Sequence, residues 1–359
     1  MFYSIGFDIA KDSFHVCLLC YNSQQQTEKV VSTRNFNNTL GEFKKFAGWV
    51  INKIQKDPAP VRCTMEATGV YYEHLAIYIQ NNHADWALSV VLGSQANKFN
   101  ESEGLRSKTD KIDAHGLALM GARKRLKQWK GINPFWGKLR QLTRAREAVT
   151  DQITILKNQL HALQHSAYGI KETQTILTSC LSSLQKQQQN LDTLIKKHLQ
   201  SEPKWIYPMQ CVQSLYGVGL LTMAVVLAET LGFEQFNSKS QLMSYSGYDV
   251  RLKESGKYAG QTKISKMGNA RIRKAMYMPA NSIIRGASHP YCSYYERLLA
   301  KHGIKMKAHV ALQKKLLSAI YYLWKKREMF DPGKAMASSI EHIAPHNGGA
   351  TVDTATFSN

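Results

Sequence analysis

YSIGFDIAKDSFHVCLLCY, residues 3–21, decides the fold class. Its first eight residues alternate: Tyr3, Ile5, Phe7 and Ile9 fall on one face of an extended chain, and Ser4, Gly6, Asp8 and Ala10 on the other. Lys-Asp-Ser then predicts a turn, and FHVCLLCY returns as a second strand. Strand signals recur at KVVSTRNF (29–36), VRCTMEATG (61–69) and WALSVVL (86–92). Helical periodicity marks LGEFKKFAGWVINKIQ (40–55), YYEHLAIYIQN (71–81) and LALMGARKRLKQW (117–129). The order β-β-β-α-β-α-β-α predicts a mixed α/β sheet with helices around it.

In such sheets functional groups collect near strand ends. Asp8 lies on the smaller-residue face of the first strand, and Glu66 ends a later one. KTDKIDA, residues 108–114, follows a polar run that reads as irregular. Its Asp110 and Asp113 are three apart, so a helical turn projects them from one side. Four carboxylates brought together repel, and a pair of divalent cations removes that cost. Mg²⁺ takes hard oxygen ligands, and two such ions suit phosphodiester cleavage. A plainer reading stands beside this one: Asp110 caps a helix beginning near Lys111, and Asp113 is a first-turn acid. Lys108 and Lys111 are either phosphate contacts or solvated charges.

The chain has 359 residues and a formal net charge of +21, which favours polyanionic partners. No apolar run is long enough to span a bilayer, and the early acid in MFYSIGFDIAKDS argues against a signal peptide. Six scattered cysteines fit a reducing cytoplasm. Cys17 and Cys20 point to opposite faces of a strand, so a structural zinc site is not expected. FDIAKDS stands where a dinucleotide-binding sheet would carry its glycine-rich loop, which speaks against a doubly wound cofactor enzyme.

GINP (131–134) breaks the helical pattern. Beyond it Leu142, Val149, Ile153, Leu156, Leu160 and Leu163 form an apolar seam interrupted by Arg146. Leu177, Leu181, Leu184, Leu191 and Ile195 form another with Gln188 in its gap. A helical hairpin or coiled coil is expected, turning near YGI (168–170). VQSLYGVGLLTMAVVLAETLGF (212–233) then places helical segments around GVG. Gly217 and Gly219 there either offer backbone N–H groups to a phosphate or pack tightly. Residues 238–280 are rich in glycine and lysine. Lys253, Lys257, Lys263, Lys266, Arg271, Arg273 and Lys274 read as a nucleic-acid backbone patch. Within it, ESGK holds Ser255 with no histidine base beside it. Residues 291–330 are helical and amphipathic. The chain therefore divides into a sheet domain (1–130), helical hairpin (131–205), mainly helical domain (206–330) and loose tail (331–359).

IGFDIAKDSFHV, MEATGVY, KTDKIDA, GVGLLTMAVVLAE, the SG of ESGK and ISKMGNARIRKAMYMPA occur in an order that resembles the DEDD transposases of bacterial insertion sequences. That family includes bridge-RNA-guided recombinases and is similar to the pilin-gene invertase. The resemblance implies a RuvC-like, ribonuclease-H-type first domain whose Asp8, Glu66, Asp110 and Asp113 bind Mg²⁺, two ions to the cluster. It implies a coiled coil between the domains and a transposase domain whose Ser255 attacks a DNA phosphodiester, storing the bond in a phosphoserine link. It further implies double-stranded DNA at element ends and target, a structured noncoding guide RNA, and dimers assembling to a tetramer with a composite site. The expected location is cytoplasmic, at the nucleoid when acting. Family members often carry a proline after the turn before the serine; here Asp249 and Val250 stand there.

Overall fold

A computed structural model describes residues 1–333 apart from 56, 68, 106, 108, 252, 253, 256, 257, 260–262, 287 and 288. The chain forms two compact units, Met1–Gly131 and Ile132–Asn359. The long helices expected at 131–205 belong to the second.

In the first unit, β1 (Phe2–Ile9), β2 (Ser13–Asn22) and β3 (Thr27–Asn37) are followed by α1 (Leu40–Ile54), β4 (Val61–Glu66), α2 (Glu73–Asn82) and β5 (Ala87–Val91). Then come α3 (Gly93–Ser102) and α4 (Asp110–Arg123). The sheet order is β3-β2-β1-β4-β5. β1 and β2 are antiparallel, as are β2 and β3, while β1, β4 and β5 run parallel. The alternation in β1 sets what covers each face. Ile5, Phe7 and Ile9 pack with Phe43, Phe46 and Val50 of α1. Ser4 and Gly6 face α4: Ser4 Oγ donates to the Ala118 carbonyl at 2.7 Å, and a β-carbon on Gly6 would collide with the Ala114 carbonyl. This mixed α/β sheet is consistent with a RuvC-like fold.

Two elements differ from the sequence expectation. The run before KTDKIDA is not irregular: it contains α3, whose buried Ala96, Phe99 and Asn100 make a helical stripe too short for periodicity to reveal. The last helix spans Asp110–Arg123, not 117–129. It starts early because Thr109, not Asp110, is its N-cap, accepting the Ile112 N–H at 3.3 Å. It ends early because Lys124 turns extended, and Trp129 N–H donates to the Leu88 carbonyl at 2.7 Å.

The second unit opens with α5 (Pro134–Gln164) and α6 (Lys171–Gln200). They pack antiparallel, and the two polar gaps in their seams are filled. Arg146 pairs with Asp192 at 2.5 Å, and Gln188 Nε2 donates to Thr150 Oγ1 at 2.7 Å. Next come α7 (Pro203–Gln213), α8 (Leu220–Thr230) and α9 (Lys239–Tyr245). Short strands follow: β6 (Val250–Arg251), β7 (Glu254–Ser255), β8 (Tyr258–Ala259) and β9 (Lys263–Ile264). The last helices are α10 (Ala270–Ala275), α11 (Tyr277–Arg285), α12 (Pro290–His302) and α13 (Lys305–Lys326). Trp136, Leu227, Phe233, Leu316 and Trp324 belong to one core shared by α5, α8 and α13.

Candidate active site

The parallel register pairs Phe7 with Met65. One residue further on, Asp8, the last but one residue of β1, and Glu66, the last of β4, lie on the face that α4 covers. α4 runs opposite to β1, with Ala118 at Ser4 and both Ala118 and Ala114 at Gly6. Its first turn, carrying Asp110 and Asp113, therefore lies toward the Asp8 end. Asp110 is exposed; Asp8, Glu66 and Asp113 are half-buried.

Helix α3 touches two of these acids. The Glu66 carboxylate sits where a β-carbon on Gly93 would stand, against the first turn of α3, where a helix favours negative charge. From the same helix Asn100 Nδ2 donates to Asp113 Oδ1 at 3.4 Å. Asn100 is buried, and its Oδ1 has no hydrogen-bond partner among the described residues. The fold thus brings the four acids to one end of one sheet face. It does not close them into a ligand shell: among the described residues no three His, Cys, Asp or Glu side chains are close enough to hold a metal ion. Lys111 is exposed, and its charge works against the burial that pushes the Cys17 thiol up to about 12.

Ser255 lies in the second unit. β6 pairs with β9, and β7 with β8, both antiparallel. Ser255 opposes Tyr258, so only two residues separate the strands and Ser255 ends the ascending one. The structure describes its backbone and not its side chain. Lys253 and Lys257, like Lys108, fall outside the described residues.

The base of this hairpin is tightly bonded. Ser265 donates from its backbone N–H to the Asp249 carbonyl at 2.8 Å and from Oγ to Asp249 Oδ1 at 2.5 Å. Asp249 is thus part of the closure. Asn269 N–H donates to the Tyr245 carbonyl at 2.8 Å, and Gly268 packs so closely there that a β-carbon would strike that same oxygen. Arg273 bonds the carbonyls of Ser246 and Gly268 at 2.8 and 3.2 Å. Tyr248 is fully buried and donates to Gln313 Oε1 at 2.7 Å.

Beneath the base lies Glu229, 2% exposed. Arg144 grips it through Nε and Nη2 at 2.8 and 3.0 Å, and Asn269 Nδ2 donates to it at 2.7 Å. Burial pushes its carboxyl up, but hydrogen bonds from Arg144 and Asn269 and the charges of Arg144 and Arg271 outweigh that. The net effect holds it below the usual carboxylate range. Asn269 also N-caps α10, accepting the Arg271 and Ile272 N–H groups. One buried acid therefore ties α5 and α8 to the point where the chain leaves the serine hairpin.

The other basic residues divide by environment. Arg271 pairs with Glu147 at 2.6 Å, and Lys274 with Glu147 and Asp151 at 3.0 and 2.9 Å. Lys263 and Lys266 are exposed. Gly217 has φ +84° and lies against Pro279 and Ser282 of α11, while Gly219 precedes α8 with nothing near its missing side chain. Tight packing therefore accounts for Gly217.

Sequence reasoning missed Gly93 and Asn100, because α3 was not legible. It also missed Glu229 and Asn269, although both lie inside quoted motifs. An acid ending the apolar run LLTMAVVLAE was a usable signal, since a buried carboxylate needs a partner.

A family described as "Transposase", with DEDD in its designation, matches residues 5–168. The "Transposase IS116/IS110/IS902 family" matches residues 209–296. The pilin gene-inverting protein of Moraxella lacunata is 27% identical over 328 residues, spanning 91% of this chain and 97% of its own. Its Moraxella bovis counterpart has the same identity and coverage. A Coxiella burnetii protein described as a transposase for insertion element IS1111A is 25% identical over 254 residues, 63% of this chain and 69% of its own. Among the described residues no helix is long and apolar enough to cross a membrane. These matches make the chain an enzyme of the transposase and recombinase class, acting on DNA. It has the domain architecture of the IS110-family DEDD transposases, with homology to the pilin gene-inverting proteins.

Proposed function

We propose that the protein is an RNA-guided DNA recombinase that cuts and rejoins strands of a mobile element and its target through Ser255. The observation that carries this reading is the shared placement of the acids. Asp8 and Glu66 lie at the same end of parallel neighbours on one face, with Asp110 and Asp113 in the helix turn above that end. All four offer hard oxygen donors, which suits Mg²⁺ in kind. Bound there, Mg²⁺ supplies positive charge to the phosphate under attack.

Ser255 Oγ forms a bond to phosphorus as one phosphorus–oxygen bond to the DNA sugar breaks. The departing sugar oxygen takes a proton, and the serine proton leaves to solvent or a nearby base. Attack by a sugar hydroxyl of another strand reverses these changes and frees Ser255, so no external energy source is needed. Exposed Lys263 and Lys266 hold DNA backbone without reading sequence. Gly219, Lys253 and Lys257 are further candidate contacts, as is Lys111 beside the acids. A structured noncoding RNA supplies sequence choice by base pairing. The composite site is built from a homo-oligomer, dimers assembling to a tetramer.

Inversion of a DNA segment, the action named in the Moraxella relatives, is the second reading and needs no guide. Recombination of donor and target plasmids, with and without RNA from the element's flanks, separates the two. Recombination only with RNA is expected; equal recombination without it leaves a protein-guided invertase. Hydrolytic nicking with no joined product leaves a resolvase-like nuclease.

A further inference from the structure

The second unit contains a cleft of about 400 Å³ between α9, α12, α13 and residues 328–331. None of its lining residues belongs to the serine hairpin or the acid cluster. Lys239 and Lys315 enter it from α9 and α13, beside Tyr291, Tyr322 and Phe330. We propose that this cleft binds one nucleotide of a single-stranded nucleic acid, its phosphate at the lysines and its base against Tyr322. This rests on the reading of the chain as a nucleic-acid enzyme and adds a contact separate from the reacting bond.

The charges favour an anion at the lysines. Lys315 is half-buried, its Nζ 5.7 Å from the Tyr291 ring centroid. Burial, then the like charges of Lys239 and Arg297, make its ammonium harder to keep than usual. Neither Lys239 nor Lys315 forms an ion pair with a carboxylate among the described residues, although Glu328 and Asp331 line the same cleft. A phosphate at the two lysines supplies a counter-charge.

The aromatic groups favour a base. Phe330 is fixed: its N–H donates to Ser214 Oγ at 2.7 Å, and its ring stacks on His289 at 5.5 Å and meets Tyr291 edge-on at 5.9 Å. Tyr322 lines the same cleft and is 49% exposed. Clefts of about 300 Å³ or more take small organic groups. A lysine beside an exposed aromatic face is the combination that binds single strands, whereas a duplex keeps its bases stacked inside.

The test is binding of fluorescent oligothymidylate, oligouridylate and a duplex to the full chain by anisotropy, across a salt series. Tyr322→Ala should weaken at least one single strand about tenfold, Tyr322→Phe should restore it, and duplex binding should stay unchanged. Lys315→Gln should flatten the single-strand salt slope by about 0.7. Unchanged single-strand affinity in both Tyr322→Ala and Lys315→Gln overturns the proposal, as does equal weakening on the duplex. The same pattern should persist in Ser255→Ala, so a failure of serine chemistry and a failure of this site read differently.

Discussion

The Glu66 carboxylate occupies the space that a β-carbon on Gly93 would need. The colliding atom is the end of a flexible side chain, so Gly93→Ala displaces Glu66 and not the backbone. Gly93 opens α3, so alanine there brings less than the mid-helix gain over glycine of about 0.5–1 kcal/mol. The expected outcome is an unchanged or slightly raised melting temperature with strand cleavage reduced about tenfold or more. Thermal melts beside a cleavage assay check it; full activity would remove Gly93 from the positioning of Glu66.

Asn100 steadies the other acid on α3. Asn100→Asp keeps the shape but turns a donor to Asp113 into a second carboxylate. Paired carboxylates raise each other's pKa, so the folded state binds protons more tightly than the unfolded one. Stability in this variant is therefore retained below the unfolded carboxylate value of about 4 and lost as pH rises through the folded value. Unfolding free energies of wild type and variant from urea titrations should separate by about 1–3 kcal/mol near neutral pH and converge in acid.

Gly6 differs from Gly93 because backbone blocks its substitution. A β-carbon there meets the Ala114 carbonyl and the Ala118 nitrogen of α4. Gly6→Ala should cost about 1–3 kcal/mol or more and move the helix that carries Asp110 and Asp113. Denaturation midpoints and cleavage should fall together.

Much of this was legible in the sequence, for physical reasons. Alternation in YSIGFDIA fixed both faces of β1, because each face meets a different layer. The seam gaps at Arg146 and Gln188 were visible, but their partners Asp192 and Thr150 were not, since pairing depends on how two helices register. α3 was hidden because its core contact is one short stripe in a polar run. The acids' order along the chain was plain, whereas their spacing was not: side-chain torsions turn Glu66 toward α3, and periodicity carries no torsions.

Glu229 should support the serine hairpin from below. Its carboxyl is held below the usual range, so its contribution is present above the unfolded value of about 4.3 and lost as pH falls through the folded one. Glu229→Gln should cost about 1–3 kcal/mol at neutral pH, and the gap to wild type should narrow in acid. Denaturant titrations at two pH values check the sign. A constant gap would mean the carboxylate charge contributes nothing.

In the proposed function Ser255 carries the DNA bond. The most direct measurement is mass spectrometry of the protein after reaction with Mg²⁺, its flanking RNA and cognate DNA, followed by nuclease digestion. A nucleotide joined through phosphate to Ser255 is expected in wild type, with no adduct and no recombination in Ser255→Ala. An adduct at wild-type level in Ser255→Ala, or recombination by that variant, would contradict it.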